Sequence, residues 1–236
     1  MTPADRLIVA FDAPELGESL RLAKQLRGCI RYAKIGSILF TAEGPRAIER
    51  FRALGFEVFL DLKFHDIPST VEKSCRAAAR HRVCMLTIHA SGSPAMLEAA
   101  AEGARSESMR LRLRRPRVVG VTVLTSVGSG APAAMTRRVV GLARQAQEAG
   151  LDGVVASAQE AAAIRRELRR PFLLVCPGIR PASADRSDHS RVATPEAAIA
   201  NGADFLVVGR PITEHRDPRA AVRRILEEIT QGAHRT

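Results

Sequence analysis

Tryptophan is absent from this chain, tyrosine occurs once, and aromatic residues make up only 4% of it. Bases bound in single-stranded form need rings on which to stack, so the net charge of +11 does not by itself point to nucleic acid. Arginine is spread over nearly every helical segment, as at Arg46, Arg50, Arg80, Arg105, Arg144, Arg165 and Arg224, and only the stretch from Arg110 to Arg117 is a cluster. A solvated arginine-rich surface is expected, with no nucleic-acid partner. Cysteine is scarce too: Cys29, Cys75, Cys84 and Cys176 show no C-x-x-C or Cys/His ligand spacing, which excludes the common zinc modules and suits reduced thiols in the cytoplasm. No apolar run approaches the length of a membrane span, and the first one stops at Asp12, too soon for a secretory signal. No membrane partner is expected.

Lysine is the most telling shortage. Lys24, Lys34, Lys63 and Lys73 are the only four, so arginine serves wherever a generic surface cation is wanted. Lys34 and Lys63 lie inside apolar segments, and lysine offers what arginine lacks, a compact charge able to transfer a proton.

What is present is a regular alternation. Strand-like runs over 7–12, 32–38, 57–63, 85–90, 118–124, 153–156, 172–176 and 205–208 are separated by amphipathic helical runs over 16–26, 43–54, 69–81, 94–104, 133–149, 158–168 and 195–200, with a last one over 217–229. Runs such as Phe172-Leu173-Leu174-Val175-Cys176 are apolar on both faces, as parallel strands covered by helices must be. Eight strand-then-helix units predict an α/β chain folded as a single-domain (β/α)8 TIM barrel over 1–236. A doubly wound open sheet is the competitor, but its first turn is usually glycine-rich, and here the first strand ends in Asp12-Ala13-Pro14.

In such a barrel the polar residues that end strands converge on one face. Asp12, Lys34, Asp61, Lys63, Asp66, His89, Ser91, Thr125, Ser126, Arg180 and Arg210 are those residues, with His89 read as a core histidine outside the site. Asp61 and Lys63 are two apart and share a strand face. A structural ion pair would explain them in isolation, yet charges at the mouth of a buried strand are costly unless paired. Pro177-Gly178-Ile179-Arg180 and Gly209-Arg210-Pro211 follow the last two strands, where barrels often hold a phosphate. Each combines a glycine with an arginine suited to bidentate phosphate binding. A phosphate monoester ligand is expected.

Asp61-Leu62-Lys63-Phe64-His65-Asp66-Ile67-Pro68-Ser69-Thr70 resembles the signature of the orotidine 5′-phosphate decarboxylase family. The likeness continues in Val9-Ala10-Phe11-Asp12, Lys34-Ile35-Gly36, the segment Val121-Thr122-Val123-Leu124-Thr125-Ser126, Pro177-Gly178-Ile179-Arg180-Pro181 and Val208-Gly209-Arg210-Pro211-Ile212-Thr213. It implies a (β/α)8 homodimer with active sites shared between subunits, no cofactor and no metal, and conversion of orotidine 5′-phosphate to UMP, the last step of de novo pyrimidine synthesis. It implies a charged tetrad of Lys34, Asp61, Lys63 and Asp66, the last reaching the neighbouring subunit's site, with Lys63 as proton donor. Asp12 would bind ribose, Ile67 and Thr70 would complete the partner's pocket, and Thr125 and Ser126 would meet the pyrimidine edge. Arg180, Gly209 and Arg210 would hold phosphate. One departure is visible: His189 stands where the family usually has a phosphate-covering glutamine.

Loss of CO2 from a pyrimidine C6 leaves an electron pair with no obvious sink. Without pyridoxal or thiamine, fixed charge must stabilise it, which Lys63 could do before delivering a proton. Repulsion between Asp61 and a carboxylate about 4 Å away is roughly 4 kcal/mol at an effective dielectric near 20, less than the whole of a typical enzymatic effect. The alternative is a Mg-dependent sugar-phosphate decarboxylase or aldol-type synthase, which shares the D-x-K-x-x-D spacing but not Ile67-Pro68-Ser69-Thr70.

Overall fold

Proline punctuates the helix starts of this chain, where its missing N–H costs nothing. The computed structural model, which describes residues 1–124, 132–182 and 193–234, begins with a 3-10 turn, Pro3–Arg6, capped reciprocally by Thr2 and Asp5. Then come β1 (Leu7–Phe11), α1 (Leu16–Leu26), β2 (Tyr32–Gly36), α2 (Ser37–Glu43), α3 (Pro45–Ala53), β3 (Glu57–Phe64), α4 (Pro68–Arg80), β4 (Met85–His89) and α5 (Pro94–Leu111). The second half continues with β5 (Arg117–Val121), α6 (Pro132–Glu148), β6 (Gly153–Val155), α7 (Ala161–Glu167), β7 (Leu173–Cys176), α8 (Pro195–Ala200), β8 (Phe205–Val208), α9 (Arg210–Thr213) and α10 (Pro218–Ala233). Ser93, Thr194 and Asp217 cap α5, α8 and α10 by accepting a backbone N–H from the first turn, as short polar side chains at that position do.

Every strand is parallel to its neighbours, and β1 pairs with both β2 and β8, closing an eight-stranded barrel. The open-sheet alternative is thereby excluded. Alternation along the strands divides the core in two. Leu7, Val9, Phe11, Ala33, Ile35, Val58 and Leu60 face the helices, where Phe11 meets Phe51 edge-on at 4.7 Å. Ile8, Ala10, Tyr32, Phe59, Met85, Val119, Val175, Phe205 and Val207 fill the barrel. This interior plug is the floor of whatever lies above it.

The N-terminal ends of the strands carry ion pairs. Glu57 binds Arg114 at 3.3 Å and Arg31 at 3.6 Å. Asp152 is gripped by both Nη atoms of Arg115 and accepts the Val118 N–H. Asp204 is buried, accepts the Leu174 N–H at 2.8 Å, and pairs with Arg165 and Arg170. Within the arginine cluster that ends α5 and follows it, Arg110, Arg114 and Arg115 thus find carboxylate partners within the fold.

Several element limits differ from the expected ones, most of all around α2 and at the end of α5. The run 32–38 ends as a strand at Gly36 and turns directly into α2, with Gly44 (φ 59) separating α2 from α3. The single helix expected over 43–54 is therefore only α3. Helix α5 runs on to Leu111 rather than stopping near residue 104. All four cysteines are free, three of them buried, and Cys29 is half-buried. Burial pushes the Cys75 and Cys84 thiols up to about 12, so both are inert at neutral pH. Among the described residues, no helix is long and apolar enough to cross a membrane.

Candidate active site

Two positions beyond the last plug residue of each of β1 to β4, the inward face of the strands turns polar. Ala10 is followed by Asp12, Tyr32 by Lys34, Phe59 by Asp61 and Met85 by Thr87. The period of two along a strand thus stacks a charged layer on the apolar floor at the C-terminal mouth. Lys34 Nζ lies 3.0 Å from Asp12 Oδ1 and 3.3 Å from Asp61 Oδ2, and Lys63 Nζ lies 2.9 Å from Asp61 Oδ1. The row reads minus, plus, minus, plus, and its centre is the least accessible part: the side chains of Lys34 and Asp61 are 10% and 12% exposed, against 35% for Lys63.

Lys63 is set by an irregularity in β3. The β3–β4 register shifts between Leu60 and Phe64, and Lys63 takes φ 53. A left-handed non-glycine residue costs about 1–2 kcal/mol and persists where its surroundings fix it. Here the Lys63 N–H donates to Thr87 Oγ1 at 2.9 Å, while the Thr87 hydroxyl donates to Asp61 Oδ1 at 3.0 Å. One threonine therefore ties the lysine backbone to the carboxylate that holds the lysine side chain. Burial alone would raise the Asp61 carboxyl, but Lys34, Lys63 and the Thr87 hydroxyl outweigh it and hold the group below its ordinary value. The centre of the row stays an anion between two cations.

Above the row is a cavity of about 450 Å³. Asp12, Lys34, Asp61 and Lys63 form one side, Val121, Val123 and Leu124 an apolar wall, and Gly178, Arg180, Gly209 and Arg210 the opposite rim. Arg180 follows β7, where its N–H donates to the Ala193 carbonyl at 3.0 Å. Arg210 opens α9 directly after β8. Two guanidinium groups and a carboxylate–ammonium row thus face one space of nucleotide size.

Of the residues singled out from sequence, Asp12, Lys34, Asp61, Lys63, Arg180, Gly209 and Arg210 line this cavity. Asp66, Ile67 and Thr70 do not. They lie on the exposed turn and first helical residues after β3, with Asp66 Oδ1 accepting the Ile67 N–H at 2.7 Å. Thr125, Ser126 and His189 lie outside the described residues. Sequence reasoning missed Thr87, whose signal was a lone hydroxyl in the apolar run Met85–His89. It also passed over Gly36 as a site residue. A Cβ there would sit 2.8 Å from Asp12 Oδ1 and 3.0 Å from Lys34 Nζ, so only glycine leaves room for that pair. The rings of His65 and His89 lie tilted at 38° with centroids 5.3 Å apart, and burial, then His65 and Lys63, lower the His89 imidazole.

The chain matches the model of the Orotidine 5′-phosphate decarboxylase / HUMPS family over residues 5–225. It is 47% identical over 233 residues to the orotidine 5′-phosphate decarboxylase of Teredinibacter turnerae, covering 95% of this chain and 97% of the relative. It is 48% identical over 233 residues to that of Halorhodospira halophila, covering 95% of each. Among solved structures, the orotidine 5′-phosphate decarboxylase of Lactobacillus acidophilus superposes with a TM-score of 0.82 at 33% identity, covering 95% of this chain and 98% of the other. With a family model spanning nearly its whole length and relatives this similar, the chain belongs to the orotidine 5′-phosphate decarboxylase / HUMPS family.

Proposed function

We infer that this protein decarboxylates orotidine 5′-phosphate to UMP and CO2 without a cofactor, the closing step of de novo pyrimidine synthesis. The observation that carries this reading is the Asp12–Lys34–Asp61–Lys63 row, buried at its centre, lining one cavity together with Arg180 and Arg210, in a chain of this family. Binding begins at the phosphate, where Arg180 and Arg210 offer forked donors and Gly209 lets the backbone approach. Asp12 and Lys34 meet the ribose, and Thr125, Ser126 and His189 are assigned to the pyrimidine edge and the phosphate cover. With both ends held, C6 and its carboxylate are directed at Asp61 and Lys63.

The C6–carboxylate bond breaks, CO2 leaves, and the electron pair stays on C6. The Lys63 ammonium stabilises that charge as it develops and then transfers a proton to C6. Asp61, ionised between two cations, keeps Lys63 charged and aimed, and Lys34 offsets the cost of keeping Asp61 ionised where water is scarce.

The acting unit in this reading is a cytoplasmic homodimer. Asp66, Ile67 and Thr70 reach no part of their own chain's cavity, and they sit exposed at the same end of the barrel. Ile67 is 63% exposed and Ile38, just after the neighbouring strand β2, is 53% exposed. Covering each is worth about 1.5–3 kcal/mol, which a second copy would supply while bringing Asp66 to the partner's row. Buried free thiols suit a reducing compartment.

The test is direct. Purified protein with orotidine 5′-phosphate and EDTA is expected to form UMP, and Lys63→Ala is expected to lose about 10⁴-fold or more in turnover, since donor and stabilising charge leave together. Turnover that EDTA abolishes and Mg²⁺ restores would move the protein to the Mg-dependent sugar-phosphate branch, and wild-type turnover by Lys63→Ala would remove the mechanism.

A further inference from the structure

At the opposite, N-terminal end of the barrel a second concavity of about 370 Å³ lies where β3 and β4 begin, beside the turn after α5. Arg52, Arg82, Arg112 and Arg114 line it against a single carboxylate, Glu57, and Glu57 is already engaged by Arg114 and Arg31. Among the described residues, no carboxylate comes within ion-pair distance of Arg52, Arg82 or Arg112. Glu57 and Lys63 are six positions apart along β3, roughly 20 Å of extended chain, so this concavity and the site at the mouth are distinct.

The backbone adds an independent observation. Four turns that lead from a helix into a strand place glycine in the left-handed region, at Gly28 (φ 79), Gly55 (φ 93), Gly150 (φ 79) and Gly202 (φ 99). The turns after α4 and α5 place Arg82 (φ 55) and Arg112 (φ 53) there instead. Their N–H groups donate to the Ala79 carbonyl at 2.9 Å and the Met109 carbonyl at 3.2 Å, helix-closing contacts that glycine makes without steric penalty. The two sites where this chain accepts a strained arginine over glycine are the two whose side chains line the same basic concavity. Complementing a helix C-terminus would account for each one separately, but not for their convergence with Arg52 and Arg114.

We propose that this concavity is a binding site for a compact phosphate chain of the di- or triphosphate class, gripped by the guanidinium forks of Arg52, Arg82 and Arg112. Its only aromatic, Phe56, is buried, so no ring is presented for a base and recognition is of charge and shape.

Titration calorimetry of the intact protein with tripolyphosphate, at ionic strength held constant with NaCl, tests this. Saturable binding that persists with the mouth filled by excess UMP is expected, at least tenfold weaker in Arg82→Gly/Arg112→Gly. Because glycine suits both turns, the double variant should keep its melting temperature; Arg52→Gln, on an exposed residue of α3, is a second probe expected to weaken binding several-fold. Were the two arginines only helix-end complements, the double variant would melt earlier and keep its affinity, which overturns the proposal. Loss of binding when excess UMP fills the mouth, no binding at matched ionic strength, or tighter binding of a random DNA duplex than of tripolyphosphate would overturn it too.

Discussion

Lys34 is the residue on which the charged row turns. A buried ammonium is destabilising alone, and here it is shared by Asp12 and Asp61, so its position depends on both carboxylates having room. That room is supplied by the missing side chain of Gly36. Gly36 has an ordinary φ of −91, so alanine is compatible with the backbone, and the atoms its Cβ would strike are the flexible ends of Asp12 and Lys34. The pair must move while the strand stays. Gly36→Ala is therefore expected to lower kcat/KM for orotidine 5′-phosphate about tenfold to a hundredfold, the usual result of displacing a positioning group by about 1 Å, with a melting temperature within about 2 °C of wild type. Steady-state kinetics with a thermal melt reads both, and a large fall in melting temperature with unchanged kinetics would mean that the backbone had yielded instead. Gly36 could be read from sequence only as part of Lys34-Ile35-Gly36, because its purpose is set by Asp12, which arrives from another strand.

At the scale of elements, the pair α4 and α5 shows how the arginine-rich surface contributes to the fold. Glu107 of α5 is 1% exposed and accepts hydrogen bonds from Arg80 of α4 and from Arg110, both at 2.6 Å. The hydrogen bonds from Arg110 and then Arg80 lower its carboxyl from 4.5 to about 2. Between those values the unfolded chain binds a proton that the folded chain does not, so stability rises with pH. The contribution is complete above the ordinary value and is lost as pH falls toward 2. Glu107→Gln should accordingly show a shallower fall in melting temperature than wild type from about pH 5 to about pH 2.5, and parallel curves would show that the two arginines do not hold Glu107 ionised. The same scale shows how far sequence reaches. All eight strand kernels, and α1 and α8 to the residue, were legible from apolar period and proline, since those signals are local. Helix α2 was not, because Ile38-Leu39-Phe40 resumes the apolar run of β2 after only Gly36-Ser37, with no proline or charged residue between them. The bulge that places Lys63 was invisible as well: it arises where β3 shifts register against β4 and Thr87 captures the Lys63 N–H, a relation between segments twenty-four residues apart.

For the whole molecule, the two ends of the barrel divide the work. At the N-terminal end the carboxylates Glu57, Asp152 and Asp204 are all taken up by arginines while, among the described residues, Arg52, Arg82 and Arg112 are left over, whereas the C-terminal mouth gathers the row and the two rim arginines and leaves Ile38 and Ile67 exposed. Asp66 stands outside that arrangement in one chain, whereas the resemblance implies a tetrad in which it joins Lys34, Asp61 and Lys63. Both statements hold if Asp66 serves a second copy, and this can be tested without a structure of the pair. Lys63→Ala and Asp66→Ala subunits, each expected to be nearly inactive alone, are mixed under conditions that exchange subunits. In a mixed dimer one site carries both substitutions and the other carries neither, because the intact Lys63 of one chain meets the intact Asp66 of the other. Half of the dimers are mixed and each has one sound site of two, so roughly a quarter of wild-type activity should return. If mixing restores nothing although exchange is complete, Asp66 acts within its own chain or not at all, and the exposed Ile67 must be covered by something other than a second copy.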